Sequence, residues 1–459
     1  MNQGENLVQA LASQYMVDFF IDRPFERLLP RCWQEFFSSL GNESIIEFCD
    51  PSRTPSHLNQ PQPLGLLALR VLASSLSTAR VHVGRPEDLL SLFEINEKSD
   101  ELMPDFSLSL SIELKRKIKA KKLHEIERIL EVIRCARLKS QFENVVDIGA
   151  GVGHLTRAIS MSLPVRVHSI EGNEKLVSAA RKLDSKFSSL LVSDESTWIK
   201  PERKAEYVSL NAETKIPGED AGVCLVGVHA CGDLSSTIIR MFTKHPQITC
   251  LILFGCCYHK LNAGADKLYQ QKWGKCAETM DCNIETLGYP LSNGLTSSFT
   301  YAARELACYA REQYMASEDF DIRQQIFRAL LEWIVVRSTI DQLNGPVRHL
   351  PFHGVSASAN LEFGSYIHEM LKPYPELLEP VKNTLSSMDL DIDDFVKRST
   401  SSFLSILALR IMIAPLIESC IVDDRVQYIR DAGHSAISFP LFNSVVSPRN
   451  ICIAAFKKL

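Results

Sequence analysis

The stretch Val145-Val146-Asp147-Ile148-Gly149-Ala150-Gly151-Val152-Gly153-His154-Leu155 decides the fold. A β-branched apolar run leads into an acid, and glycines then fill three alternate positions. An amphipathic segment follows from Leu155 to about Met161. This is the pattern of a strand, a tight turn and a helix. Cβ atoms in such a turn would hold the backbone away from a ligand. The N-terminus of the following helix aims free N–H groups into the same space.

A dinucleotide-binding loop needs Gly-x-Gly-x-x-Gly, with the third glycine packing helix on strand. Here that third position is His154, and the spacing is Gly-x-Gly-x-Gly behind an acid. That variant suits S-adenosylmethionine, which has no pyrophosphate to seat. Asp147 is placed to meet its amino group, and Gly149, Gly151 and Gly153 let the methionine moiety pass. A second strand, Val165 to Ile170, ends in Glu171, a carboxylate placed to take both ribose hydroxyls. The competing reading is a glycine-rich turn in another α/β protein, and Glu171 weighs against it.

With 459 residues, 45% of them hydrophobic, the chain can bury a large core and form more than one lobe. A formal charge of -5 argues against wholesale electrostatic wrapping of nucleic acid. Thirteen cysteines without a repeating spacing read as reduced thiols, which places the protein in the cytoplasm or nucleus. Met1–Gln14 is polar and lacks the pattern of a secretory signal. Phe403–Ile417 is the best membrane candidate, but Arg410 and Pro415 interrupt it. It reads as a buried helix, so no membrane partner is expected.

Residues 1–110 read as an N-terminal helical lobe. Tyr15, Phe19, Phe20, Trp33, Phe36 and Phe37 form an apolar stripe at helical spacing, and Leu64–Ser77 is a further helix. Glu113–Arg137 is a charged helix just ahead of the first strand. Lys115, Arg116, Lys117, Lys119, Lys121 and Lys122 put six cations in eight positions there. The plain reading is a solvated face. The sharper one has Lys122 or His124 neutralising the methionine carboxylate, while the outer cations of Lys115–Lys122 contact RNA phosphates.

Beyond Glu171 the alternation of helix and strand continues. Tyr207–Leu210 reads as a third strand ending at Asn211, whose amide either receives the adenine amino group or caps a turn. Val223–Val228 is a fourth strand followed by His229-Ala230-Cys231-Gly232-Asp233. Ile248–Phe254 is a fifth, followed by Gly255-Cys256-Cys257-Tyr258-His259. In doubly wound sheets ligands sit at the carboxyl ends of strands, so both polar clusters fall at the mouth of the glycine-turn crevice.

Five segments make the resemblance specific: Lys121-Lys122-Leu123-His124-Glu125-Ile126, Asp147–Leu155, His229-Ala230-Cys231-Gly232-Asp233-Leu234-Ser235, Cys256-Cys257-Tyr258 and Gly288-Tyr289-Pro290-Leu291-Ser292. Together with Ser447-Pro448-Arg449-Asn450, they resemble the methyltransferase-like 25 family. That family includes proteins labelled as ribosomal RNA adenine dimethylase domain-containing. The resemblance spans nearly the whole chain and implies an S-adenosylmethionine-dependent methyltransferase. It carries cofactor contacts onto Asp147, Gly149, Gly151, Gly153 and Glu171. At Asn211, relatives can carry an acid.

The expected fold is therefore α/β, a class I (Rossmann-like) methyltransferase sheet. Residues 111–261 form its core and 262–416 a helical insertion. Residues 417–459 supply a last helix and an antiparallel strand pair, Ala436–Leu441 and Ile451–Ala455, that completes the sheet.

Methylating an exocyclic amine usually needs a polar-Pro-Pro-aromatic turn after the fourth strand, and this chain has neither proline nor aromatic there. Adenine dimethylation by that route is disfavoured. His229 is a candidate general base, with Asp233 orienting it or binding substrate. The alternative is that both residues only brace the loop. Cys231 and Cys257, with Cys256, also suit thiolate addition to carbon 6 of a pyrimidine. Zinc on Cys231, Cys257, His229 and His259 lacks the usual ligand spacing, so no metal is expected. Two functions follow: methyl transfer to RNA or a protein side chain, or a degenerate fold kept for cofactor binding or assembly.

Overall fold

The structure is a computed structural model that describes residues 7–48, 50, 61–95, 118–191, 198–209, 214–218, 222–264, 288–292, 299–309, 311–312, 322–340, 347–350 and 362–458. Its first strand, β1 (Asn144–Ile148), is buried at every position because layers of helix cover both faces. Beside it lie β2 (Arg166–Glu171) and β3 (Glu202–Ala205) on one side, and β4 (Val223–Ala230) and β5 (Ile248–Gly255) on the other. Two C-terminal strands, β6 (Ser435–Pro440) and β7 (Ile451–Phe456), complete a seven-stranded sheet of order β3-β2-β1-β4-β5-β7-β6.

The first five strands are parallel, whereas β7 runs antiparallel to both β5 and β6. After β1 the chain builds outward to β3, then returns to place β4 on the other flank of β1. That reversal opens a crevice at the carboxyl ends of β1 and β4, where open α/β sheets bind ligands.

Side-chain alternation divides the core into two layers. On one face Val145, Val167, Cys224, Val226, Ile252 and Ala454 pack against α1 (Ala120–Ser140) and α2 (His154–Ser162). On the opposite face Val146, Ile148, Leu225, Leu251 and Ile453 pack against α4 (Asp233–Lys244) and the Val422–Ile429 end of α5 (Ile392–Asp431). Helix α3 (Glu174–Leu191) adjoins β2 and β3.

Two expectations are corrected. The third strand is Glu202–Ala205, and the described part of the more apolar stretch, residues 207–209, is not strand. As the sheet edge, β3 has mostly exposed positions, so charged residues fit there. The last helix begins at Ile392 rather than Ile417, because α5 continues through Pro415 for 40 residues, although the two compact units still divide between Ile417 and Glu418. Ile411, Met412, Ile413, Ile417 and Ile421 are all buried along it, which outweighs one missing backbone donor. By length and composition α5 could cross a membrane, but 89% of its most apolar window is buried inside the protein.

The chain divides into two compact units that group the expected segments differently. Met1–Ser77 and Phe299–Ile417 fall in one, while Thr78–Ala265 and Glu418–Leu459 fall in the unit that holds the sheet. In the helical unit the aromatic stripe is core. Phe19 packs on Phe403, and Phe20 on Trp333 and Phe395, with ring centroids 4.9–6.0 Å apart.

Candidate active site

The glycine turn works as its spacing requires. Gly149, Gly151 and Gly153 have φ of 74°, 57° and 70°, a region that L side chains rarely adopt. Around Gly151 no described atom lies within 4 Å of where a Cβ would stand, so the turn is open above its middle glycine. Gly153 is crowded instead: its Cβ would fall 2.1 Å from Arg203 Nη1. Arg203 is one of two arginines that grip the turn from below. Arg157 donates to the carbonyl of Val152 (2.5 Å) and Arg203 to that of Gly153 (3.5 Å). Fully buried Asp184 pairs with both, at 2.6 and 2.9 Å. None of these three residues is legible in the sequence, because a lone charged residue on α2, on α3 or on an edge strand carries no motif.

Asp147 is almost wholly buried and accepts a hydrogen bond from Thr156 Oγ1 at 2.7 Å, tying α2 to β1 beneath the turn. Burial pushes its carboxyl up, against the opposing pull of Thr156 and Lys122. Its observed partner is thus the scaffold. Glu171, at the end of β2, accepts from the backbone N–H groups of Gly151 (2.8 Å) and Asn173 (2.9 Å). Each carboxylate oxygen keeps a lone pair for a second donor, as ribose hydroxyls would require. Asn211, Lys115, Arg116 and Lys117 lie outside the described residues.

Helix α1 splits the expected pair. Lys122 turns inward to Glu125 Oε2 at 3.3 Å. His124 Nε2 instead accepts the Asn443 N–H at 3.1 Å, holding the loop before β7. Burial and nearby Arg128 keep its pKa below the ordinary histidine value, which fits an accepting, neutral ring. The placement of His124 therefore favours a loop anchor over a carboxylate contact. Lys119 and Lys121 are exposed.

The main arrangement that sequence reasoning missed is centred on Glu125. His229 Nε2 lies 3.2 and 3.1 Å from its two carboxylate oxygens, and Ser447 Oγ donates to Oε1 at 2.8 Å. Burial alone would raise the Glu125 pKa. The hydrogen bond and charge of His229, then Lys122 and Ser447, pull it down to about 2. A bulge makes this contact. Val228 pairs with Phe254 and Ala230 with Gly255, leaving His229 as an extra residue at φ 57°. In unbroken alternation His229 would share the face of Leu225, toward α4. The bulge gives that face to Ala230 and turns His229 to α1. The Glu125–Ser447 contact brings two of the family-like segments, residues 121–126 and 447–450, into one site.

Asp233 braces the loop and does not meet His229. Its carboxylate accepts the N–H groups of Asn262 (2.8 Å) and Ala263 (2.7 Å), and Glu125 stands beside His229 instead. Cys231 and Cys257 do come together, in a triangle with Cys256: Sγ separations are 3.0 Å for Cys231–Cys256, 3.2 Å for Cys231–Cys257 and 3.6 Å for Cys256–Cys257. The Cys256 hydrogen bond leads the effects that draw the Cys231 thiol down to about 5, while the thiols of Cys256 and Cys257 are pushed up.

Strand order, the antiparallel β7 and an acid-glycine turn at the switch point define a class I methyltransferase fold. Residues 121–264 match the family model described as a methyltransferase domain. The chain is 26% identical over 257 residues to "Probable methyltransferase-like protein 25" of Mus musculus, covering 52% of this chain and 38% of that protein. It is 25% identical over 378 residues to the Homo sapiens protein of the same name, covering 78% and 54%. The chain thus carries a methyltransferase domain and is similar to methyltransferase-like protein 25, and the matches span about half or less of the length of those relatives.

Among solved structures, magnesium protoporphyrin IX methyltransferase from Synechocystis with bound SAM is 14% identical, covering 39% of this chain and 80% of that one at a TM-score of 0.23. A S-adenosylmethionine-dependent methyltransferase from Clostridium acetobutylicum is 15% identical, covering 33% and 56% at a TM-score of 0.21. The class of the fold rests on this chain's own strand order.

Proposed function

We propose that this protein transfers a methyl group from S-adenosylmethionine to an oxygen or nitrogen nucleophile on RNA or on a protein side chain, with His229 as the proton acceptor. The single observation that carries this reading is the Glu125–His229 pair at the carboxyl end of β4, beside the glycine turn. The residues fit the cofactor. The space above Gly151 admits a ligand against bare backbone, Glu171 retains acceptor capacity, and Lys122 offers a cation near the turn.

The cofactor supplies an electrophilic methyl on a sulfonium, which leaves as a neutral thioether. The chain must align the nucleophile and take its proton. Glu125 fixes the ring of His229 by accepting Nε2–H, which leaves Nδ1 as the basic nitrogen. Ser447 and Lys122 hold the Glu125 carboxylate ionised at the inner end of this relay. A methyltransferase retained only for cofactor binding would have no use for a buried carboxylate on a bulged histidine.

The test is isothermal titration with S-adenosylmethionine, followed by tritiated methyl transfer into cell extract treated with ribonuclease or with protease. Cofactor binding together with label lost to one treatment supports the reading and identifies the substrate class. Binding with no transfer to either fraction favours the assembly module. For RNA, replacing Lys115, Lys117, Lys119 and Lys121 with Gln should flatten the salt dependence of binding by about one unit of slope per lost phosphate contact.

A further inference from the structure

We propose that Cys231, Cys256 and Cys257 form a binding site for one thiophilic divalent cation of the zinc class, held on three thiolates. The three sulfurs arrive from two neighbouring strand ends: Cys231 follows β4, and Cys256 and Cys257 follow β5. Two features of the backbone bring them together. Ala230 pairs directly with Gly255, so the two chains leave the sheet side by side. Gly232 then crosses Lys260 so closely that a Cβ would stand 2.7 Å from the Lys260 carbonyl oxygen. Only a glycine permits that approach, and the approach seats one thiol on the other two.

The spacing suits a cation. Ligands at about 2.3 Å in tetrahedral geometry leave neighbouring sulfurs about 3.8 Å apart. The observed 3.0, 3.2 and 3.6 Å separations need only small outward turns. Cys231 and Cys257 are partly exposed and have room to make them. The surroundings suit thiolates as well: Cys231 stands at the N-terminus of the 12-residue helix α4, whose free N–H groups favour negative charge.

A second thiol group makes the contrast. Cys224, Cys250 and Cys452 occupy adjacent strands but are fully buried among Val226, Ile252 and Phe254, as inert core. Among the described residues the outer set closes at three protein ligands. Its fourth position is left to water or an added ligand, the pattern of an open rather than a closed site. Binding exchanges thiol protons for the cation, with no change of oxidation state.

The test uses the full chain, reduced, freed of metal and titrated anaerobically with cobalt(II). The expected result is one ion per chain, a sulfur-to-cobalt charge-transfer absorption and its displacement by one equivalent of zinc. Cys231→Ser and Cys257→Ser should each remove about one third of that absorption and weaken binding at least about tenfold. Cys32→Ser, at an exposed cysteine of the helical unit, should leave it unchanged. Circular dichroism of each variant separates loss of the site from loss of the fold. No absorption, or an absorption that survives both Cys231→Ser and Cys257→Ser, would overturn the proposal. So would a Cys231–Cys256 disulfide in anaerobically prepared protein that takes up no metal. The readout is independent of methyl transfer, so its failure leaves the proposed activity standing.

Discussion

His229 Nε2 lies 3.1 Å from Glu125 Oε2 although 104 residues separate them. The contact joins the bulged end of β4 to α1, and Ser447, 322 residues from Glu125, closes it from the C-terminal segment. Three distant segments thus converge on one carboxylate beside the glycine turn.

Removing either member of this pair should slow turnover without releasing the cofactor. A positioned proton acceptor contributes about 100-fold to 10,000-fold. His229→Ala is expected to lose that much in kcat, and Glu125→Gln at least about tenfold, with the Kd for S-adenosylmethionine within about twofold of the parent. Single-turnover methyl transfer and titration calorimetry measure the two quantities separately. An unchanged kcat for His229→Ala would exclude it as the base.

Glu171→Ala and Gly151→Arg act on the cofactor instead. Glu171 orders the Gly151 N–H and offers the ribose acceptors, and an arginine at Gly151 fills the open space at a strained φ. A lost charge-assisted hydrogen bond costs about 1.5–3 kcal/mol, or roughly tenfold to hundredfold in affinity. Calorimetry should read that loss while thermal unfolding of Glu171→Ala stays close to the parent. Parent-like binding by both variants would refute the assignment.

Asp184→Ala tests the clamp beneath the turn. It leaves Arg157 and Arg203, at 1% and 3% side-chain exposure, without their shared carboxylate. Breaking a buried pair from one side costs about 3–5 kcal/mol, which urea unfolding would register. A loss below about 1 kcal/mol would mean that water replaces the carboxylate there.

The stability contribution of Glu125 has a defined pH window. Its folded pKa, about 2, lies below the ordinary 4.5, so the folded state binds the proton less readily than the unfolded chain. The contribution is fully present above about pH 5 and is lost as pH falls through 4.5 toward about 2. Glu125→Gln should therefore lose less stability than the parent between pH 6 and pH 3, as measured by urea unfolding at both values. An equal loss in both proteins would place the acid sensitivity elsewhere.

What the sequence determined by itself is local. Val145–Leu155 reads as strand, turn and helix because the required conformations are written in consecutive residues: β-branched side chains, then glycines at the positive φ positions, then an amphipathic repeat. Glu171 was legible for the same reason, as the acid that ends the next strand. The antiparallel pair at the C-terminus was also legible, because each strand carries its own apolar run.

Tertiary structure decided whatever depends on which face a residue presents. One bulge residue reverses the parity of a strand, and nothing in Val-His-Ala-Cys announces it, so the pairing of His229 with Glu125 rather than Asp233 could not be read. The edge position made Glu202–Ala205 a strand in spite of its charges, since an edge need bury little. Core packing carried α5 through Pro415, because the buried area along 40 residues outweighs one absent hydrogen bond. In each case the deciding energy comes from partners far along the chain, which no window of sequence contains.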